Sequence, residues 1–169
     1  MKKTVKLPDD FFLGAAASAW QTEGWFGKKE HQDSYIDLWY KENKNVWHNG
    51  YGPAIATDYY HRYQEDIGYM KDIGMNCYRT SLNWSRFLTD YENVVVDEDY
   101  AAYYDKMLDE MIAQGIEPMV CLEHYEIPRE LFEKYDGFAS KHVVELFVKY
   151  ARKAFERFGH KVKYWFAFN

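Results

Sequence analysis

Residues 97–126 read DEDYAAYYDKMLDEMIAQGIEPMVCLEHYE, and a change of hydrophobic period inside them decides the fold. Tyr104, Leu108, Met111 and Ile112 recur at helical spacing behind Asp97 or Asp99, either of which can cap a helix N-terminus. Gly115 stops that helix, because a glycine just past the last turn adopts left-handed backbone without a Cβ penalty. Glu117 to Leu122 is then apolar but too short for a helix and reads as a strand. The polar run Glu123-His124-Tyr125-Glu126 follows at its carboxyl end.

The same unit lies on both sides. Upstream, a helix capped by Asp58 presents Tyr63, Ile67, Met70 and Ile73, ends at Gly74, and gives way to a strand from Asn76 to Thr80. Downstream, a helix starting near Ser140 carries Val143, Val144, Phe147, Ala151, Ala154, Phe155 and Phe158, ends at Gly159, and precedes a strand from Lys163 to Phe168. A further apolar run, Phe11 to Ala17, adds a first strand. Alternation of this kind implies parallel strands joined by right-handed crossovers, so the expected class is α/β, with three main helices outside about four parallel strands. The excursion from Gly24 to Thr57 has no clear period. A connection that long inside a compact domain has either a function or structure of its own. There is no internal repeat and no low-complexity stretch.

Composition narrows the function. At 169 residues the chain is of ordinary single-domain size, whereas a complete (β/α)8 barrel typically takes about 250 residues, so barrel signals here describe part of one. No uncharged apolar run reaches the roughly 18 residues of a membrane helix, so a soluble chain without a membrane partner is expected. Acidic residues (27) outnumber basic ones (21), the net charge is −6 and the charges are scattered, which argues against a nucleic-acid partner. Six tryptophans, 16 tyrosines and 11 phenylalanines suit a large core and also suit the faces of sugar rings. Cys77 and Cys121 stand far apart in apolar stretches with no CxxC spacing, so both are expected as buried, inert thiols. Met1-Lys2-Lys3 ahead of Phe11 to Ala19 has the outline of a secretory signal. Pro8-Asp9-Asp10 places acids where its charged and apolar regions should join, which favours a cytoplasmic protein.

In parallel α/β folds, ligands bind beyond the carboxyl ends of the strands. Gln21 and Glu23 follow the first strand, Arg79, Ser81, Asn83 and Trp84 lie at the end of the second, Glu123 to Glu126 follow the third, and Asn169 ends the fourth. Hydrogen-bonding groups and aromatics at one end of all four strands fit a neutral ligand with many hydroxyls.

These residues carry a resemblance. Phe12-Leu13-Gly14-Ala15-Ala16-Ala17-Ser18-Ala19-Trp20-Gln21-Thr22-Glu23-Gly24 resembles the N-terminal signature of glycoside hydrolase family 1, the β-glucosidase and 6-phospho-β-glycosidase family. The likeness continues through Asp58 to Ile67, Asn76 to Arg86, Gly115 to Val120, Leu122 to Pro128 and Tyr164 to Asn169, and so covers essentially the whole chain. It implies a retaining β-glycosidase on a TIM barrel, in which one carboxyl protonates the glycosidic oxygen and another attacks the anomeric carbon. By the resemblance, Gln21 and His124 hydrogen-bond ring hydroxyls, Asn169 holds the sugar 2-hydroxyl, and Arg79 sits beside the nucleophile and keeps it ionised. No cofactor and no metal are implied.

In the family the acid/base glutamate directly follows the asparagine matching Asn169, and the nucleophile lies near the seventh strand. The resemblance therefore implies one partial domain over 1–169, the N-terminal half of a (β/α)8 barrel with strands one to four. Such a half keeps sugar-binding groups, lacks both catalytic carboxylates, and is not expected to hydrolyse alone. Its open edges call for a second copy or a complementing C-terminal half. Tyr125 after His124, together with the stretch from Arg79 to Arg86, resembles the branch that acts on 6-phospho-β-glucosides rather than plain β-glucosides. The phosphate-binding serine, lysine and tyrosine of that branch lie near the last strand.

Plainer readings stand beside these. Gln21 can satisfy backbone in a turn, and Arg79 can be a structural ion-pair group. If residues 122–126 continue a strand, alternation puts His124 and Glu126 on one side, and two ligands without a third make a weak metal site. Glu23 and Glu126 are conceivable as a substitute catalytic pair, although the family assigns neither that task. Trp20, Trp25, Trp39 and Trp84 are expected to pack rather than to serve as sugar platforms.

Overall fold

The computed structural model describes residues 5–169. In chain order the elements are β1 (Gly14–Ala16), α1 (Ala19–Thr22), α2 (Tyr35–Glu42), α3 (Tyr59–Asp72), β2 (Cys77–Ser81), α4 (Trp84–Phe87), β3 (Leu88–Asp90), β4 (Val95–Val96), α5 (Glu98–Ala113), β5 (Glu117–Cys121), α6 (Arg129–Tyr135), α7 (Lys141–Phe158) and β6 (Tyr164–Phe166). The sheet order is β1-β2-β5-β6, with every pairing parallel. Ala16, Arg79, Met119 and Tyr164 stand side by side across it. This is the expected four-strand α/β arrangement, with α3, α5 and α7 as the connecting helices.

Each long helix forms where its periodicity places it, with local differences. Asp97 caps α5, its side chain accepting from the Asp99 and Tyr100 N–H groups. Asp58 does not cap α3 in that way. Its own backbone is left-handed, and its carboxylate bonds His61 Nδ1 at 2.7 Å instead. Ile73, Ile112, Val144 and Phe155, all expected in the core, are exposed. They lie at the margins of stripes whose centres, Ile67, Leu108 and Phe147 among them, are buried.

The core is strongly aromatic. Trp84 stacks on Tyr150 with centroids 5.1 Å apart and planes 13° from parallel, and Phe87 and Phe158 close around them. Tyr150 is buried to its hydroxyl, which donates to the Leu82 and Leu122 carbonyls at 2.9 and 3.0 Å. One core side chain thereby ties together the exits of β2 and β5, where the site forms.

The excursion has structure of its own. A reciprocal Ser34–Asp37 capping box starts α2, and Asp33 draws in Lys28 and Lys41 at 2.7 and 2.5 Å. Two 3-10 turns, Lys44–Val46 and His48–Gly50, follow α2 within the excursion; these, the short helices α1, α2, α4 and α6, and the β3–β4 hairpin were not legible from periodicity. Both outer strands are bare, with all of β1 and most of β6 exposed. Cys77 and Cys121 are buried free thiols, as expected. Among the described residues no helix is long and apolar enough to cross a membrane.

Candidate functional site

The strand exits converge. Ser81, at the end of β2, accepts the Ala19 N–H at 2.8 Å and donates to Glu126 Oε1 at 2.7 Å. The same carboxylate oxygen accepts the Trp20 N–H at 3.0 Å, so the turn after β5 is tied to α1, which carries Gln21. Gln21 is exposed, and its Oε1 accepts the Ser18 hydroxyl at 3.0 Å. Arg79 Nη1 donates to Asn169 Oδ1 at 2.9 Å, and the Asn169 N–H donates to the Glu123 carbonyl at 3.1 Å.

His124 is buried, and its Nδ1 has no partner. Burial and the charge of Arg79 lower its pKa, which holds the imidazole neutral and leaves it one donor and one acceptor nitrogen. Tyr125 is 56% exposed, stands edge-on to His124 at 5.8 Å, and has φ +66°. Arg79, Asn169, His124 and Tyr125 thus gather around the β2, β5 and β6 exits, and Gln21 is held to the same cluster through α1.

Residues 122–126 do not continue a strand. β5 ends at Cys121, and the left-handed Tyr125 turns Glu126 inward, so the alternation that grouped His124 with Glu126 does not apply. Among the described residues no three His, Cys, Asp or Glu side chains converge to hold a metal ion. Glu23 and Glu126 do not form an exposed pair either. Glu23 accepts from Arg86 at 3.0 Å and from the Tyr100 hydroxyl, and Arg86 also donates to the Gly24 and Phe26 carbonyls. Burial pushes the Glu23 carboxyl up to about 7 against the pull of Arg86 and Tyr100, and it pushes buried Glu126 up as well.

The tryptophans divide between packing and lining. Trp84 is core, and Trp25 packs edge-on to Tyr40 at 5.9 Å. Trp20 stands edge-on to Trp47 at 5.6 Å, and Trp47 packs on Trp39 at 5.4 Å. With Tyr35, Ile36, Val46 and Tyr125 these three line a cleft of about 380 Å³ beside the strand exits. Sequence reasoning missed Trp47 and the cleft, since the only signal was aromatic density in an aperiodic segment. It also missed the organising parts of Ser81 and Glu123.

The sequence profile described as Glycosyl hydrolase family 1 matches residues 3–169. The chain is 41% identical over 165 residues to Beta-glucosidase 24 of Oryza sativa subsp. japonica, covering 97% of this chain and 33% of the relative. It is 36% identical over 172 residues to Aryl-phospho-beta-D-glucosidase BglA of Bacillus subtilis (strain 168), covering 96% and 36%. Among solved structures, aphid myrosinase superposes with a TM-score of 0.88 at 30% identity, covering 98% of this chain and 36% of that one. A rice β-glucosidase, Os3BGlu6, superposes with a TM-score of 0.85 at 34% identity, covering 94% and 33%. The chain spans about a third of the length of these relatives.

Proposed function

The chain belongs to glycosyl hydrolase family 1, and from that premise we propose that these residues are the sugar-holding half of a retaining β-glycosidase. The observation that carries this reading is the hydrogen bond from Arg79, in β2, to Asn169, just past β6, with the Asn169 N–H on the carbonyl of Glu123, the residue before His124. Asn169 takes the sugar 2-hydroxyl, a contact that strengthens in the transition state. Gln21 and neutral His124 hydrogen-bond ring hydroxyls, and Arg79 keeps a neighbouring carboxylate ionised. The aromatic cleft behind Tyr125 suits a flat, apolar leaving group.

Retaining hydrolysis needs two carboxyls roughly 5 Å apart at the anomeric carbon. Glu23 and Glu123 are buried and hydrogen-bonded through both oxygens, and Glu126 is fully buried with Oε1 bonded to Ser81 and Trp20 and Oε2 without a partner, so none presents its carboxyl to a sugar and we assign the catalytic pair to the other half of the barrel. We assign the substrate as a β-glucoside, in its 6-phosphorylated form, on the likeness of Tyr125 and of Arg79 to Arg86 to the phospho-specific branch. Relatives with names of that kind include the aryl-phospho-glucosidase above, 6-phospho-beta-glucosidase GmuD and Aryl-phospho-beta-D-glucosidase BglH. A phosphorylated substrate and two buried thiols both fit a cytoplasmic setting.

Titration calorimetry with phenyl β-D-thioglucoside and its 6-phosphate tests the reading. Binding of either is expected, together with no turnover of aryl β-glucosides or their 6-phosphates. Turnover abolished by a Glu23 or Glu126 substitution would overturn the assignment of the catalytic pair. The burial of all three glutamates also favours a second reading, a sugar-binding half-barrel without catalysis. The mass of the natural gene product separates the two.

A further inference from the structure

Building on the sugar-site reading, we propose that Glu123 is a positioning residue, a buried carboxylate that clamps the turn after β5 so that His124 and Tyr125 are presented to the sugar. Its side chain bridges two successive backbone donors, Oε2 accepting the Tyr125 N–H at 3.0 Å and Oε1 the Glu126 N–H at 3.1 Å. The turn needs such a clamp. Tyr125 has φ +66°, a conformation in which a bulky L-residue is strained and which persists only where its surroundings enforce it.

The main chain of Glu123 holds the other side of the site. Its carbonyl accepts the Asn169 N–H and the Cys121 thiol, each at 3.1 Å. One residue thus fixes the left-handed Tyr125 through its side chain and the exit of β6 through its backbone. Glu126, aligned by the first of these, carries the connection to Ser81 and α1. Burial raises the Glu123 carboxyl, and the backbone N–H groups oppose that rise by stabilising the charged form.

The chemistry is specific to a carboxylate. Two diverging N–H donors require two acceptor oxygens on one planar group; an amide supplies one oxygen and turns its own donors toward the second N–H. A space-filling role makes no such distinction between Glu and Gln, which are nearly equal in size.

The test combines amide hydrogen exchange by NMR with calorimetry of phenyl β-D-thioglucoside on the 169-residue chain. Glu123→Ala is expected to speed exchange at Tyr125 and Glu126 at least about tenfold and to weaken the thioglucoside about tenfold. Glu123→Gln should fall between alanine and wild type in both. Wild-type exchange and affinity in the alanine variant would overturn the proposal, as would a glutamine variant identical to wild type. Should the alanine variant not fold, the glutamine variant decides alone. If wild type binds neither the thioglucoside nor its 6-phosphate, the sugar-site reading falls, and exchange at Tyr125 still decides whether Glu123 clamps the turn.

Discussion

Arg79 Nη1 and Asn169 Oδ1 lie 2.9 Å apart, a bond that joins the middle of β2 to the residue group beyond β6 across the intervening β5. Arg79 also stands over the Phe166 ring at 5.3 Å. Its guanidinium is therefore held from two sides while its Nε has no partner. Such an arrangement orients the asparagine amide.

Arg79→Met keeps the length of the side chain and removes its donors. We expect phenyl β-D-thioglucoside binding to weaken about tenfold, since a charge-assisted hydrogen bond contributes about 1.5–3 kcal/mol. Melting should change little, because the bond lies on the exposed side of the sheet. Unchanged affinity by calorimetry would remove Arg79 from the site.

Tyr150→Phe tests the buried tie between strand exits. The ring and its stack on Trp84 survive, whereas the Leu82 and Leu122 carbonyls lose their shared donor. Urea denaturation should show a loss of about 1–3 kcal/mol, the cost of leaving buried acceptors unsatisfied. A loss below about 0.5 kcal/mol would mean that other donors replace the hydroxyl.

Stability should fall as pH rises from about 5 to 7. Glu23 titrates near 7 in the fold, against about 4.5 for an unperturbed glutamate, so in that window the folded chain keeps a proton that the unfolded chain has released. Glu123 and Glu126 shift in the same direction. Asp33, Asp97 and Glu92 shift downward, and the stability they confer is lost only as pH drops below the ordinary carboxylate range. Denaturant midpoints at pH 5, 6 and 7 check the sign. Buried His124, with its lowered pKa, opposes this trend, because the unfolded imidazole takes up a proton that the folded one does not; a midpoint that rises with pH would mean that this titration outweighs that of the buried glutamates.

What was legible in the sequence follows from which forces are local. Period and glycine stops located α3, α5, α7 and the strands after them, because a helix face and its stop are written in contiguous residues. Ile73 and Ile112 were misplaced because the width of the buried arc depends on the surface opposite, which periodicity does not encode. The residues proposed to hold the sugar were picked out through motif likeness. The clamp at Glu123 was not, for although its two side-chain hydrogen bonds are local, nothing in period or composition marks a left-handed Tyr125, and the ties of the turn to Ser81, α1 and Asn169 come from residues far apart in sequence. The aromatic cleft was hidden for the same reason, its walls coming from α1, α2, the segment near Trp47 and the turn after β5.

The two bare sheet edges carry the last prediction. β1 is exposed along its whole length, and β6 presents Tyr164 and Phe166 at 42% and 43% exposure, with Phe12 and Phe168 beside them at 41% and 53%. An outer strand with unpaired ladder groups next to exposed aromatics is a template for pairing with another chain. Two such half-sheets, each offering one β1 edge and one β6 edge, can satisfy both edges at once through a two-fold axis. Sedimentation velocity should therefore show a mass that grows with concentration. Ala15→Lys places a charge on the β1 edge, in register with Tyr78 and on the opposite face from the Ala16–Arg79 pair, and should shift the equilibrium toward monomer without changing the melting of the isolated chain. A wild-type chain that stays monomeric at every accessible concentration would mean that these edges do not pair, and the self-assembly reading would be withdrawn.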